Sequence, residues 1–235
     1  MSTPLQSTSR TMLRRSKERG VPDRQALYDV LRDGLFCHAG VVVDGVPLVL
    51  ATAYGYDLTE PDGTLYLHGS IAGRLLTAAL QQTICVTITH ADGLVLARSA
   101  FHHSVNYRSA VIFGRPRLVT DLDEKIAGLN LILDQMVPGQ SAVTRPPNRK
   151  ELAKTALLAM SMSEASVKAR SGEANDEPED LDLPVWTGVI PLRVVASEPV
   201  TNSDCTLAVP PHIAKRAANL YTSGDADVDN YTAVV

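Results

Sequence analysis

Short apolar runs, each closed by a turn signal, dominate the hydrophobic pattern of this chain. Runs rich in β-branched residues, bounded by Gly, Pro and Asp, favour strands. The pattern predicts strands over residues 35–43, 46–54, 64–67, 83–89, 94–99, 105–120 and 185–196. Asp44-Gly45 and Asp92-Gly93 each predict a two-residue hairpin, and Pro61-Asp62-Gly63 predicts a further turn.

Helical spacing occurs in a few segments, most of them preceded by a residue that can cap a helix. The pattern predicts helices after Asp23, Ser70, Asp121 and Asn148, and a short helix within residues 210–223. The second half of the chain also holds one ambiguous segment, residues 157–169, whose period fits helix or strand.

The order of these elements favours an α+β fold that is mainly β. Strands and helices do not alternate regularly, so a doubly wound parallel sheet is not expected. We expect an antiparallel barrel with peripheral helices, and Gly114 and Pro116 predict a bulge or barrel corner in the long strand. The expected organisation is a basic N-terminal arm over residues 1–20, one domain over 21–198, and a C-terminal extension over 199–235.

Composition narrows the classes of function. The 235 residues carry a net charge of −4, which does not favour nucleic-acid binding. No apolar run reaches the length of a membrane span, so no membrane role is expected. The three cysteines lack metal-ligand spacing and predict reduced thiols in a cytoplasmic protein. His102-His103 has no third ligand nearby in sequence, so no metal site is expected.

The stretch from Tyr66 to Arg74 predicts a strand that turns into a helix. A helix N-terminus presents unpaired N–H groups and a partial positive charge. Ser70, two glycines and Arg74 there are typical of an anion site, and the anion could be a phosphate. In a simpler interpretation, Ser70 only caps the helix and Arg74 only makes a surface ion pair.

Four segments together resemble the FMN-binding split-barrel proteins, in the branch related to pyridoxamine 5′-phosphate oxidase that includes nitroimidazole-resistance-type flavoproteins. They are Arg19-Gly20-x-x-Asp23, the Tyr-Leu-His-Gly-Ser stretch with Gly-Arg at 66–74, Asn-Tyr-Arg-Ser with Phe-Gly at 106–114, and Pro184-x-Trp186-x-Gly188-x-x-Pro191. The resemblance implies a six-stranded antiparallel split barrel. It also implies a homodimer that binds flavin at the subunit interface.

The resemblance assigns a role to each motif. His68, Gly69, Ser70, Gly73 and Arg74 would lie at the flavin phosphate end, and Asn106, Tyr107, Arg108, Ser109 and Val111 along the flavin on the long strand. Since side chains alternate along a strand, we expect Tyr107 and Ser109 to share the cofactor face. Lys168 and Arg170 would contact phosphate or ligand, or only end a solvated strand. Trp186 would wall the flavin or belong to the core.

The function implied by the resemblance is an FMN-dependent oxidoreductase that acts on a small molecule, with His68 or Tyr107 in any acid–base role. Vitamin B6 oxidation is not expected, since Val49, Leu50 and Ala51 replace the paired basic residues of true pyridoxamine phosphate oxidases. FAD could replace FMN as the cofactor. The resemblance is also compatible with a non-catalytic flavin-binding protein, with a haem-binding or haem-degrading protein that uses His212, and with a deazaflavin-dependent protein.

Overall fold

The computed structural model describes residues 4–71 and 73–222. The ends of the predicted arm and extension, residues 1–3 and 223–235, lie outside the described part. The strands are β1 Gly20–Val21, β2 Cys37–Val43, β3 Val46–Thr52, β4 Tyr54–Asp57, β5 Thr64–Ser70, β6 Ile84–Leu96, β7 Ser104–Gly114, β8 Arg117–Leu118, β9 Thr155–Ser161, β10 Glu164–Arg170 and β11 Gly188–Pro191. The helices are α1 Arg24–Asp33, α2 Arg74–Ala79, α3 Leu122–Met136, α4 Arg149–Lys154 and α5 Pro211–Thr222.

The strands form two antiparallel sheets in a mainly-β α+β fold. The larger sheet has the order β1-β10-β7-β6-β2-β3, with β11 paired to β6, and the smaller has the order β4-β5-β9-β8. The fold class is therefore confirmed. The closed six-stranded barrel stays a prediction, because the described strands divide between these two sheets.

The chain divides into two compact units. Unit 1 comprises residues 1–89 and 109–168, and unit 2 comprises residues 90–108 and 169–235. Both units are discontinuous in sequence. The arm, domain and extension expected from the sequence stay a prediction. The main hydrophobic core lies within unit 1.

Of the two Asp-Gly hairpins, one is confirmed and one is wrong. Asp44 and Gly45 have φ angles of 52° and 79°, which a tight turn between β2 and β3 requires. Asp92-Gly93 instead lies inside β6, where Gly93 pairs with Pro191 of β11. Pairing with β11 holds this dipeptide extended, so the local turn preference is overridden by the sheet.

The predicted corner at Gly114 and Pro116 is confirmed. The long strand ends at Gly114 on the larger sheet, and the chain resumes as β8 on the smaller sheet. A Cβ at Gly114 would lie 2.5 Å from Cγ of Met160, so only glycine fits where the chain changes sheets. The predicted return strand 46–54 similarly divides into β3 and β4 on different sheets.

The ambiguous segment 157–169 lies in two strands, β9 and β10. The inner residues of β9, from 156 to 160, are all buried, since Leu158 faces the main core while Leu157 and Ala159 face a second cluster that includes Ile132 of α3. A strand buried on both faces shows no alternation in its sequence. The spacing of hydrophobic residues therefore could not distinguish a helix from a strand in this segment.

Three helix starts follow the predicted caps. The side chain of Asp23 accepts a hydrogen bond from the Gln25 amide, and that of Asp121 accepts one from the Glu124 amide. Asn148 and Glu151 form a reciprocal capping box at the start of α4. The final predicted strand is shorter than expected, since only Gly188–Pro191 of residues 185–196 pairs with a neighbour.

Candidate functional site

His68 lies near the end of β5, opposite Leu157 of β9. Its imidazole is half-buried, and its Nδ1 is buried without a hydrogen-bond partner among the described residues. Burial lowers the pKa of this imidazole below its usual value of 6.5, because desolvation disfavours the charged form. The ring is therefore neutral at pH 7 and has one ring nitrogen available to a ligand.

The turn after His68 differs from the predicted helix start. Ser70 is the last residue of β5, and Gly73, which lacks a capping side chain, is the N-cap of α2. The prediction that Ser70 caps the helix is therefore wrong. The strand continues to Ser70 because Ser70 pairs with Thr155 of β9, which keeps the residue extended.

Arg74 opens α2 and points to solvent. Its guanidinium forms an ion pair with the Asp44 carboxylate at 3.1 Å, and the two side chains are 77% and 86% exposed. An exposed pair of this kind contributes little to stability. Arg74 can therefore exchange its partner for a phosphate at low cost, and its role as a phosphate ligand stays a prediction.

Residues of β7 alternate between the buried and the outer face of the larger sheet. Ala110 and Ile112 are buried, whereas Ser109 and Val111 are half-buried on the opposite face. Which face of β7 meets a flavin stays a prediction, and the face of Ser109 is the one expected from the sequence. In unit 1, the Ser109 hydroxyl also lies within hydrogen-bond distance, 3.1 Å, of the Thr89 hydroxyl.

In unit 2, Asn106 and Arg170 contact each other. Asn106 is fully buried, accepts a hydrogen bond from Nη1 of Arg170, and donates one through Nδ2 to the Gly172 carbonyl oxygen at 3.0 Å. Arg170 also donates to the Glu173 carbonyl oxygen at 2.8 Å. These two predicted ligand residues therefore fasten the loop that follows β10.

Arg108 and Trp186, also in unit 2, have different surroundings. The Arg108 guanidinium binds both carboxylate oxygens of Asp92, each at 3.1 Å. Trp186 is 66% exposed, and its ring lies over Gly188, where a Cβ would be 2.8 Å from the indole Cζ2. The ring is therefore outside the core, which rules out the interpretation of Trp186 as a core residue.

Lys168 lies on β10, within unit 1, and pairs with Gly20 of β1. Sequence reasoning missed that residues 4–21 are an ordered part of unit 1, hydrogen-bonded to its other residues. The Leu5 amide donates to the Pro22 carbonyl oxygen at 2.8 Å, and the Thr8 hydroxyl donates to Glu164 of β10 at 2.5 Å. The Arg-Gly-x-x-Asp motif at 19–23 was the available signal, because its glycine is the residue that pairs with Lys168.

Within residues 4–71 and 73–222, no cluster of three or more His, Cys, Asp or Glu side chains could hold a metal ion. His103 contacts the Ser99 carbonyl oxygen through Nδ1 at 2.9 Å, and Nε2 of His102 lies 3.5 Å from the Glu177 carboxylate. None of the described helices is both long and apolar enough to cross a membrane.

The architecture is that of a mainly-β α+β protein with two antiparallel sheets and peripheral helices. The sequence profile of the pyridoxamine 5′-phosphate oxidase family matches residues 23–169. No curated protein matches the chain.

Solved structures extend the likeness over nearly the whole chain. The flavocytochrome Anf3 from Azotobacter vinelandii is 35% identical, with a TM-score of 0.83, covering 90% of this chain and 98% of Anf3. The FAD and heme binding protein from Mycobacterium smegmatis is 31% identical, with a TM-score of 0.78, covering 85% and 97% of the two chains. A Bacteroides thetaiotaomicron structure assigned to 5-nitroimidazole antibiotic resistance shares the fold, at 20% identity and a TM-score of 0.53, covering 63% and 85%. This chain belongs to the pyridoxamine 5′-phosphate oxidase family.

Proposed function

We propose that this protein binds a flavin and a haem and transfers electrons between them and a small-molecule partner. The observation that carries the proposal is the identity of 35% and 31% with two proteins described as a flavocytochrome and as an FAD and heme binding protein. Each is matched over at least 85% of this chain.

The described residues fit a flavin. In unit 1, the neutral His68 imidazole has a buried ring nitrogen without a hydrogen-bond partner among the described residues. A flavin ring that lies beside it would supply that partner. Ser109 and Val111 offer a half-buried hydroxyl and an apolar side chain on one sheet face. The exposed guanidinium of Arg74 would hold a phosphate. The residues of unit 1 proposed to contact the flavin also include Gly69, Ser70, Gly73 and Lys168.

Unit 2 carries the remaining proposed flavin residues, Asn106, Tyr107, Arg108, Arg170 and Trp186. Asn106 and Arg170 would act by holding the loop after β10 in place, since their polar groups are used within unit 2. Trp186 offers an exposed indole, which is suited to stacking on a planar ring.

A bound flavin supplies one- and two-electron redox chemistry, and the protein supplies binding and electrostatics. We infer that His68, neutral at pH 7, accepts or donates a hydrogen bond at the ring system rather than carrying a fixed positive charge. Tyr107 is the second proposed acid–base residue. The comparisons favour FAD over the FMN expected from the sequence, because the M. smegmatis relative is described as binding FAD.

Two imidazoles, one in each unit, are separate candidates for the ligand of a haem iron. His68 is half-buried with its Nδ1 unpartnered, and His212 is half-buried on α5 of unit 2. His212 was the candidate from sequence. His68 is the alternative that the structure adds, because its buried Nδ1 has no partner among the described residues; the same nitrogen would serve either the flavin or the iron.

The test is the visible spectrum of the purified protein and of the variants His68→Ala and His212→Ala. We expect flavin bands together with a Soret band in the wild type, and loss of the Soret band in the variant that lacks the iron ligand. His38→Ala, which removes an exposed imidazole on β2, is the matched control. A wild type that binds neither chromophore after addition of FAD and hemin would contradict the proposal.

We also propose that the protein is a cytoplasmic homodimer with the split-barrel fold of its family. Free thiols at Cys37, Cys85 and Cys205 support a reducing compartment. Apolar residues are exposed on the β2–β3 edge of the larger sheet; Val46 is 63% exposed and Val49 is 62% exposed. An apolar surface of this kind supports an interface with a second copy of the chain. A monomer by light scattering, with flavin bound, would contradict the dimer.

A further inference from the structure

The edge of the larger sheet in unit 1 has a defined outer face. In the β1–β10 pair, Val21 lies opposite Val167, and Gly20 lies opposite Lys168. Val167 is buried and Val21 packs against the core, so this pair points inward. Residues that follow one another along a strand point to opposite faces, so the Gly20–Lys168 pair faces outward.

The N-terminal segment covers Gly20 on that outer face. A Cβ built on Gly20 would lie 2.7 Å from Cδ1 of Leu13 and 3.2 Å from the carbonyl oxygen of Lys17. Since the Cβ of Gly20 would point outward, the Leu13 side chain and the Lys17 carbonyl lie on the outer face, next to the residue that pairs with Lys168. A side chain at position 20 would therefore push the Leu13 methyl group aside and press on the Lys17 carbonyl.

The segment that leads to Gly20 is cationic, and we define the basic edge as its four cations together with the residue that pairs with Gly20: Arg14, Arg15, Lys17, Arg19 and Lys168. Arg14, Arg15 and Lys17 are exposed, and none of the three forms an ion pair with another residue of the described ranges. Glu18 is the one carboxylate within this segment; it is 73% exposed and lies 3.9 Å from Arg19. A chain with a net charge of −4 thus concentrates positive charge at one place.

The basic edge lies close to the proposed flavin face. In the larger sheet β10 is flanked by β1 on one side and β7 on the other, and β7 carries Ser109 and Val111 on the outer face. Neighbouring strands are about 4.8 Å apart, so β1 is about 10 Å from β7. A group attached to a flavin on β7 can therefore reach the basic edge.

We propose that the basic edge binds the diphosphate of a dinucleotide flavin and makes the protein select FAD over FMN. This inference rests on the proposed flavin-binding function. FAD differs from FMN by a second phosphate and an adenosine. The cations of the basic edge, of which Arg14, Arg15 and Lys17 form no ion pair within the described ranges, complement the part that only FAD has. Arginine suits this task because its guanidinium binds phosphate oxygens in pairs.

The test compares Arg14→Ala/Arg15→Ala with Arg149→Ala/Lys150→Ala. Each variant removes two consecutive exposed cations from unit 1. FAD and FMN are titrated separately into flavin-free protein and followed by flavin fluorescence. We expect the first variant to bind FAD about tenfold more weakly, about 1.4 kcal/mol, with FMN affinity unchanged. The second variant should match the wild type for both flavins, and Arg14→Lys/Arg15→Lys should retain most of the FAD affinity.

Several outcomes would overturn the inference. Equal wild-type affinities for FAD and FMN, or equal weakening of both in Arg14→Ala/Arg15→Ala, would exclude selection by the basic edge while leaving flavin binding intact. Binding of neither flavin by the wild type would instead reject the proposed function. Unchanged FAD affinity together with loss of binding to a short DNA duplex would assign the basic edge to nucleic acid.

Discussion

The guanidinium of Arg170 donates a hydrogen bond to the side-chain oxygen of Asn106, 64 residues earlier in the chain. The same amide donates to the Gly172 carbonyl oxygen, so one buried side chain joins β7 to the loop after β10. The resemblance to the family assigns both residues to the cofactor site. In unit 2 they contact each other and hold the loop after β10.

Asn106→Ala should lower the free energy of unfolding by about 1–3 kcal/mol, because the Gly172 carbonyl and the Arg170 guanidinium lose a buried partner. Urea unfolding followed by circular dichroism measures the change. Asn202→Ala, at an exposed position, should change stability by less than about 0.5 kcal/mol. Equal midpoints for Asn106→Ala and the wild type would show that the network does not stabilise the fold.

His68 should make stability depend on pH. Its folded pKa is lowered below the unfolded value of 6.5, so the unfolded chain binds more protons in this range. Stability therefore rises with pH up to about 6.5 and is lost as the pH falls below that value. Melting temperatures measured from pH 5 to pH 8 should show this slope in the wild type and a shallower slope in His68→Gln. An unchanged slope in His68→Gln would assign the dependence to another group.

The three thiols should differ sharply in reactivity. Burial raises the pKa of the Cys37 thiol to about 12, whereas Cys205 is exposed. Since the thiolate is the reactive form, Cys205 should react with Ellman's reagent within minutes and Cys37 only after unfolding. Cys205→Ser should remove the fast phase. A fast phase that persists in Cys205→Ser but disappears in Cys37→Ser would contradict the burial of Cys37.

Arg74→Ala should weaken flavin binding without changing the stability of the fold. The exposed pair with Asp44 contributes little, so the free energy of unfolding should change by less than about 0.5 kcal/mol. Flavin affinity should fall at least about tenfold if Arg74 holds a phosphate. Arg32→Ala removes another exposed, ion-paired arginine of unit 1 and should leave flavin affinity unchanged. Equal flavin affinities in Arg74→Ala and the wild type would locate the phosphate elsewhere.

Local chemistry made several elements predictable. Asp23, Asp121 and Asn148 cap helices because their side chains reach amides two or three residues ahead, a contact that depends only on nearby sequence. Motif spacing likewise indicated the family that the comparisons then showed. In contrast, the interpretation of Ser70 as a cap was wrong, because its pairing with Thr155 lies far along the chain.

Neighbouring residues and motif spacing are enough to predict three helix caps, the turn at Asp44-Gly45, the corner at Gly114 and the family. Long-range pairing places Asp92-Gly93 in a strand and buries β9 on both faces. The tertiary structure also decided that Leu13 covers Gly20, the residue that pairs with Lys168. These features depend on pairings between residues distant in the chain, and strand pairing and burial override local preference wherever they remove more apolar surface from water.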